Sequence, residues 1–289
     1  MKSQRKYRYR VSVQTVLPPD YEHNETFRQT AEGLRSLGLW GVELNVEDLE
    51  DPRTRDLRAI REFLSGFDLE FSMFASGLTA KALGISLSSV DEADRRAAVE
   101  GARKMIEWVA AAGALPSERR DAPIGIIIGF LKGGVQKDAA GAQASLIESL
   151  RELAPEAARS GVPLIIEATN RYESSVVNSV ADGVRVITDA AGEQEAGILQ
   201  LLPDTFHMNI EEANMADAIA GGAGHFTSFH LSDNNRKFPG VGAIDFETVI
   251  AELDKIGYEG RIAIEGNLEK DLVSDLDKSV HYLSSLIEA

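Results

Sequence analysis

The chain has 289 residues, of which 44% are hydrophobic and 26% are charged, so it holds enough apolar material for a folded core. Its 30 Lys and Arg residues stand against 46 Asp and Glu residues, and the formal net charge of −16 disfavours nucleic acid and anionic membranes as partners. The absence of cysteine excludes disulfides, thiolate metal sites and cysteine nucleophiles, so oxygen and imidazole must hold any metal ion.

The N-terminal stretch 1–10 is basic, but no apolar segment follows it that would make a signal peptide. No run of about 18 consecutive apolar residues occurs, which disfavours a membrane-spanning helix. We therefore predict a cytoplasmic protein. The length suffices for two average domains, but α/β barrels of this size form one domain, and we predict a single domain over residues 1–289.

Strand-like and helix-like segments alternate along the whole chain, which is typical of a parallel sheet covered by helices. Strands are predicted at 8–15, 41–44, 70–75, 124–129, 164–168, 199–203, 227–231 and 262–265. Helices are predicted at 25–37, 53–66, 92–112, 139–160, 177–190, 213–220, 246–256 and 272–287. Eight strand–helix units predict an α/β fold, a closed (β/α)8 or TIM barrel with its active site at the C-terminal ends of the strands. The connections 76–90 and 234–243 are predicted to be loops over the barrel mouth.

Four of the later strands end on a residue that can bind a metal ion. The apolar runs that precede them deliver, in chain order, Glu167, Asp204, His230 and Glu265. Because the carboxyl ends of barrel strands converge, these three carboxylates and one imidazole are expected to form one site. An oxygen-rich set of this kind suits Mn²⁺, Mg²⁺ or Co²⁺, and Zn²⁺ is also compatible with it.

Further polar residues follow these strand ends and are interpreted as loop residues that reach over the pocket. Glu173 lies six residues beyond Glu167, and Arg236 lies six beyond the histidine at 230. Arg236 can donate two hydrogen bonds to a pair of substrate oxygens, and His207 can donate or accept near a hydroxyl or carbonyl. The glycine-rich segment 129–134 lacks the Gly-Lys-Ser/Thr ending of a phosphate loop. No His or Lys is predicted as an alternative to the carboxylates for removing a proton from the substrate.

Several motifs together resemble one enzyme group. They are Glu-x-x-Asn-Arg-x-Glu at 167–173, Asp-Thr-Phe-His-Met-Asn at 204–209, the segment 230–242 with its Asn-Arg and Pro-Gly-x-Gly, and the Ile-Glu pair at 264–265. The sequence is similar here to the ketose 3-epimerases of the D-tagatose 3-epimerase group, within the xylose isomerase-like barrel superfamily. The likeness runs from about the third strand to the eighth.

The resemblance implies one divalent ion, usually Mn²⁺, on the four strand-end residues. It implies that Glu167 and Glu265 are the acid/base pair, and that Glu173, His207 and Arg236 bind the sugar hydroxyls. The resulting expectation is a metal-dependent isomerase of carbohydrates, most of all a ketose 3-epimerase that transfers a proton through a cis-enediolate. A small sugar or keto-polyol is the expected partner, and a homodimer or homotetramer is expected for the chain itself.

Other reactions start from the same proton abstraction and stay open. They are aldose–ketose or hydroxypyruvate-type isomerisation and dehydration of a keto-polyol. An apurinic endonuclease-type metal hydrolase is a more distant alternative, disfavoured because the chain has only five histidines and a net charge of −16. A sugar-binding barrel without activity is a third alternative. The strand end 126–130 lacks the Trp or Glu that the epimerase group often uses near its substrate, so the sequence does not specify the sugar.

Overall fold

The computed structural model describes residues 6–112, 123–192 and 197–288. The strands are β1 (Arg10–Val16), β2 (Gly41–Asn45), β3 (Glu70–Ala75), β4 (Gly125–Ile128), β5 (Leu164–Glu167), β6 (Leu199–Leu202), β7 (Ser228–Leu231) and β8 (Arg261–Ile264). The helices are α1 (Glu25–Ser36), α2 (Leu57–Ser65), α3 (Gly77–Leu83), α4 (Glu92–Ala110), α5 (Ala139–Ser160), α6 (Val180–Ala190), α7 (Thr205–Glu211), α8 (Met215–Gly221), α9 (Phe246–Lys255) and α10 (Leu272–Ile287). A short 3₁₀ turn, Phe130–Lys132, follows β4.

The eight strands form one parallel sheet in the order β6-β5-β4-β3-β2-β1-β8-β7. Its two ends meet through a parallel bridge between Asp204 and His230, where the His230 amide donates to the Pro203 carbonyl at 2.9 Å. The sheet therefore closes into a barrel, and the predicted (β/α)8 fold is confirmed. All eight predicted strands are present within two residues of their expected ends.

Alternation along each strand separates two cores. The outer core lies between the sheet and the helices, as where Phe74 of β3 packs on Trp108 of α4 with ring centroids 5.1 Å apart. The inner core fills the barrel and is much smaller, since it comprises Met73, Ala75, Ile127, Ile165 and Leu202. Polar side chains occupy the inward positions nearer the C-terminal ends of the strands, and the candidate site lies there.

Two predicted connections contain helices that the sequence pattern did not reveal. The segment 76–90 was expected to be a loop, but it contains α3, which ends at Gly84 in the left-handed conformation. The residues after Asp204 were also expected to be a loop, but they form α7, whose N-cap is the Asp204 side chain. Both helices have seven residues, too few to produce a helical repeat of apolar positions. In the parts of the chain that the structure describes, no helix is both long and apolar enough to cross a bilayer.

Candidate active site

The four strand-end residues lie together at the mouth of the barrel. One ligand atom from each of Glu167, Asp204, His230 and Glu265 lies within 4.8 Å of the other three. Glu167 is the last residue of β5, Asp204 follows β6, His230 is the third residue of β7, and Glu265 follows β8. The first three are buried and Glu265 is partly buried, so this is a buried Glu/Asp/His cluster of the kind that holds a metal ion.

Hydrogen bonds fix both nitrogens of His230. Its Nε2 lies 2.9 Å from Glu43 Oε2, and its Nδ1 lies 2.8 Å from Glu265 Oε2. Burial alone would lower the pKa of His230, but Glu43 and Glu265 raise it well above the usual value. With its Nε2–H donated to Glu43, the imidazole faces Asp204 and Glu265 through Nδ1. A divalent ion bound there can replace the second imidazole proton, so the donor set fits such an ion.

Glu43 is a residue of the candidate site that the sequence pattern did not reveal. It is fully buried in the middle of β2, between Val42 and Leu44, which belong to the outer core. A charged residue with apolar neighbours on both sides in a strand must face the barrel interior, because side chains alternate. That alternation was the available signal. A carboxylate behind a metal-binding histidine orients the ring and selects the nitrogen that faces the ion.

Arg236 lies against two of the candidate ligands. Its Nη1 donates to Asp204 Oδ2 at 2.6 Å, and its Nη2 donates to Glu265 Oε1 at 2.5 Å. The guanidinium also lies over the ring of Phe206, 4.8 Å from its centroid. Arg236 lines the same cavity as Glu167, so the structure brings it to the candidate site, in contact with the carboxylates of two candidate ligands. Whether it also binds substrate stays a prediction.

Asp233 organises the loop that carries Arg236. Its carboxylate accepts hydrogen bonds from the backbone amides of Gly240, Gly242 and Ile244 at 3.0, 2.8 and 3.2 Å. Arg236 itself has a φ of +58°, a left-handed conformation that is uncommon outside glycine. Strain of this type persists only where surrounding contacts enforce it. The predicted loop 234–243 therefore has a defined shape and presents the guanidinium to the cluster.

Glu167 and Glu265 have opposite electrostatic environments. Burial raises the pKa of Glu167 to about 8, and the nearby charge of Glu265 adds to the effect. Burial would also raise the pKa of Glu265, but Arg236 and His230 lower it to about 2. A Cβ added at Gly129 would lie 2.3 Å from Glu167 Oε2. The carboxylate of Glu167 thus needs glycine at that position to reach its place.

His207 lies on α7 and is held beside Glu167. Its Nδ1 is 3.2 Å from the backbone amide of Asn170, which can only donate, so Nδ1 accepts. Burial lowers the pKa of His207, which favours the neutral ring with its proton on Nε2. That Nε2 is 3.6 Å from Glu167 Oε1. Glu173 accepts from the Asn170 side chain at 2.9 Å, so one asparagine positions both predicted substrate-binding residues.

Lys132 is the second residue that the sequence analysis missed. It belongs to the 3₁₀ turn after β4, is 1% exposed, and lines the cavity together with Glu167 and Glu173. Burial lowers the pKa of Lys132 to about 8, although Glu167 and Glu173 oppose the shift. Lys132 therefore lies at the candidate site, and the expectation that no His or Lys is an alternative base stays a prediction. Lys132 lies in a short turn flanked by glycines, which carries little sequence signal, and only the fold brings it beside strand β5.

Comparison with known proteins places these residues in a family. The chain is 35% identical over 124 residues to 3-dehydro-D-guloside 4-epimerase of Escherichia coli K12, an alignment that spans 43% of this chain and 46% of that protein. It is 28% identical over 262 residues to L-ribulose 3-epimerase of Mesorhizobium japonicum, spanning 83% of this chain and 82% of that one. These relatives are carbohydrate epimerases, in agreement with the enzyme class predicted from the sequence.

The fold comparison agrees with the sequence comparison. The crystal structure of 3-keto-D-glucoside 4-epimerase from E. coli, in its apo form, superposes with a TM-score of 0.74 at 21% identity, covering 96% of this chain and 99% of that one. Residues 31–286 match the family described as Xylose isomerase-like TIM barrel. This chain therefore belongs to the xylose isomerase-like TIM barrel family.

Proposed function

We propose that this protein is a metal-dependent carbohydrate epimerase that inverts the carbon next to a ketone, and that its substrate is a ketose inverted at C3. The names of its relatives support this, because an L-ribulose 3-epimerase and a 3-dehydro-D-guloside 4-epimerase both act on the carbon beside a carbonyl. The observation that carries the proposal is the pair Glu167 and Glu265, two carboxylates of opposite pKa shift in one cavity.

The ion that we propose is a single Mn²⁺, held by Glu167, Asp204, His230 and Glu265, with Mg²⁺, Co²⁺ and Zn²⁺ as alternatives. When bound, such an ion stabilises the negative charge that develops on the sugar oxygens as the proton leaves the neighbouring carbon. Glu43 holds His230 in the orientation that this site requires. Binding also needs all three carboxylates ionised, which the raised pKa of Glu167 opposes in the ion-free protein.

The protein residues supply the proton transfers and the orientation. One of Glu167 and Glu265 removes the proton from one face of the carbon, and the other returns a proton to the opposite face, through a cis-enediolate. Environments that push two carboxylates to opposite pKa values are typical of acid/base pairs with distinct roles. His207 donates from Nε2 to a substrate oxygen, and Arg236 and Glu173 bind the remaining hydroxyls.

The test combines metal analysis with turnover in deuterated water. We expect one divalent ion per chain and inversion of at least one ketose from a panel that includes L-ribulose, D-psicose and D-tagatose, with deuterium entering at the inverted carbon. Conversion of the ketose to an aldose would indicate the isomerase alternative, and loss of water from the sugar would indicate a dehydratase. A protein that binds metal but exchanges no carbon-bound proton in any ketose would contradict the proposal.

A further inference from the structure

Lys132 is a buried cation that lacks the partners a structural cation has. Its Nζ donates to Thr169 Oγ1 at 2.5 Å, which engages one of its three protons. Glu167 and Glu173 act on Lys132 only through their charges, and in the described parts of the chain no carboxylate oxygen forms an ion pair with its Nζ. Burying an ammonium group without full pairing costs stability, so this arrangement needs a reason.

Arg95 shows what a structural cation looks like in the same protein. It is 3% exposed, close to the value for Lys132, but it donates to Glu92, Ser149 and Glu152 and joins α4 to α5. The Arg95 guanidinium faces other protein groups, whereas Lys132 lines the cavity. The incomplete pairing of Lys132 therefore coincides with access to a ligand.

The position of Lys132 is fixed by its backbone on two sides. Its carbonyl accepts from the Ser88 amide at 3.1 Å, and its own amide donates to the Gly129 carbonyl at 3.1 Å. The next residue, Gly133, accepts from Ser174 Oγ at 2.8 Å, which ties the turn to the loop after β5. The ammonium group is thus presented by a rigid segment, as a binding residue should be.

Lys132 and Arg236 lie on different sides of the carboxylate cluster. Arg236 bonds Asp204 and Glu265, while Lys132 lies near Glu167 and Glu173 and bonds the Thr169 that follows Glu167. Both cations line one cavity. A sugar whose reacting carbon lies between Glu167 and Glu265 would therefore extend from the guanidinium on one side towards the ammonium on the other.

We propose that Lys132 is a specificity-determining residue, which donates hydrogen bonds to an acceptor oxygen of the sugar at the end remote from Arg236. This inference rests on the proposed function, because it takes a sugar as the ligand of the cavity. The acceptor is a hydroxyl or a carboxylate oxygen, both of which suit an ammonium donor. Lys132 selects among sugars and takes no part in moving the carbon-bound proton.

The test is calorimetric titration of the Mn²⁺-loaded protein with the best-binding of D-psicose, D-tagatose and L-ribulose. The same titration is run with analogues that lack one hydroxyl beyond C3 and with the analogue whose terminal carbon is a carboxylate. The variants are Lys132→Met and the matched control Lys137→Met, an exposed lysine five residues further along. Mn²⁺ content and Tm are measured for each, and Lys132→Leu, which also lacks a donor, replaces Lys132→Met if that variant does not fold.

We expect the wild type and Lys137→Met either to bind one deoxy analogue about 10-fold or more weakly than the parent ketose, or to bind the acid about 10-fold or more tightly than that ketose, the scale of one charge-assisted hydrogen bond. Lys132→Met should bind the parent ketose and the analogue that the wild type discriminates with equal affinity, and it should keep its Mn²⁺. If the wild type binds the acid more tightly than the ketose, the acceptor is a carboxylate, and the reverse order identifies a hydroxyl. If Lys132→Met keeps both wild-type affinity ratios, ketose to deoxy analogue and ketose to acid, this inference alone is overturned. A wild type that binds no sugar of the panel would overturn the proposed function with it.

Discussion

Buried charged groups are paired differently on the two sides of the barrel mouth. On the side of β7 and β8, Arg236 bonds Asp204 and Glu265, and His230 bonds Glu43, so each charge has a partner of opposite sign. On the side of β4 and β5, Glu167 and Lys132 are buried, and within the described ranges no Lys or Arg pairs with Glu167 and no carboxylate pairs with Lys132. One side is a paired network and the other holds incompletely paired groups.

The consequence is that the same chemical group has two different acidities within one cavity. The pKa of Glu265 is about 2 because Arg236 and His230 outweigh its burial, whereas the pKa of Glu167 is about 8 because burial dominates. Neighbouring charges, not residue type, decide which carboxylate carries a proton. The paired side gives the site its fixed geometry, and the other side is where a ligand or a cation can improve the pairing.

The largest expected effect is a loss of turnover when either Glu167 or Glu265, the two carboxylates with different pKa values, is replaced. Replacing either Glu167 or Glu265 by Gln keeps the shape but removes the proton acceptor, so kcat should fall by at least roughly 10²-fold. The measurement is turnover of the active ketose with deuterium incorporation, together with metal content, because both residues are candidate ligands. Glu247→Gln on the exposed face of α9 is the control. Near-normal rates in both variants, with inversion but no solvent exchange, would rule out the two-carboxylate mechanism.

The next effect concerns the paired side and its metal affinity. In Glu43→Gln the amide can donate to His230 Nε2, which moves the imidazole proton to Nδ1, the nitrogen that faces Asp204 and Glu265. We expect metal affinity to weaken by about 10- to 100-fold, the usual result of removing such a partner. Competition with a fluorescent chelator measures this, and Glu47→Gln, an exposed residue after β2, is the control. Unchanged affinity would mean that Glu43 does not orient the histidine.

The fold and the four-residue cluster were readable from the sequence because each rests on a local pattern. Buried parallel strands appear as short apolar runs, and a barrel converts the residue after each run into a neighbour of the others. Glu167, Asp204, His230 and Glu265 could therefore be grouped without any knowledge of helix packing. The short helix α7 was missed because seven residues carry no periodic signal, and its N-cap Asp204 was assigned to the site alone.

The residues that were missed depend on contacts between distant segments. Glu43 is 187 residues from His230, and the sequence gives no sign of their hydrogen bond beyond a charge within an apolar strand. Lys132 is 37 residues from Thr169, in a turn whose glycines suggest only a loop. Such pairings follow from strand order around the barrel, with β7 three strands away from β2 and β4 beside β5, which is a property of the closed fold.

A smaller effect is expected from Arg236, the residue that joins the two carboxylates of the paired side. Arg236→Ala should lower kcat/KM by about tenfold, or about 1.4 kcal/mol of transition-state stabilisation. Metal content should remain, because the four candidate ligands are untouched. Arg171→Ala is the control, since Arg171 is exposed and pairs with Glu211 away from the cavity. Loss of the metal in Arg236→Ala would assign the guanidinium a structural role in holding Asp204 and Glu265.

The smallest effect tests how closely the β4 side fits around Glu167. In Gly129→Ala the new methyl group would lie 2.3 Å from Glu167 Oε2, so the carboxylate must move by several tenths of an ångström or more. Gly134→Ala is the matched control, because its nearest neighbour, the Glu173 carbonyl oxygen, would be 3.7 Å from the methyl carbon. We expect metal affinity and turnover to fall several-fold in Gly129→Ala and to stay unchanged in Gly134→Ala, since small misplacements at a reacting centre reduce rates. The carboxylate is the end of a flexible side chain, so the displacement is limited and Tm should change little. Equal behaviour of the two alanine variants would show that Glu167 has room to shift without loss, and that the β4 side does not fix its position.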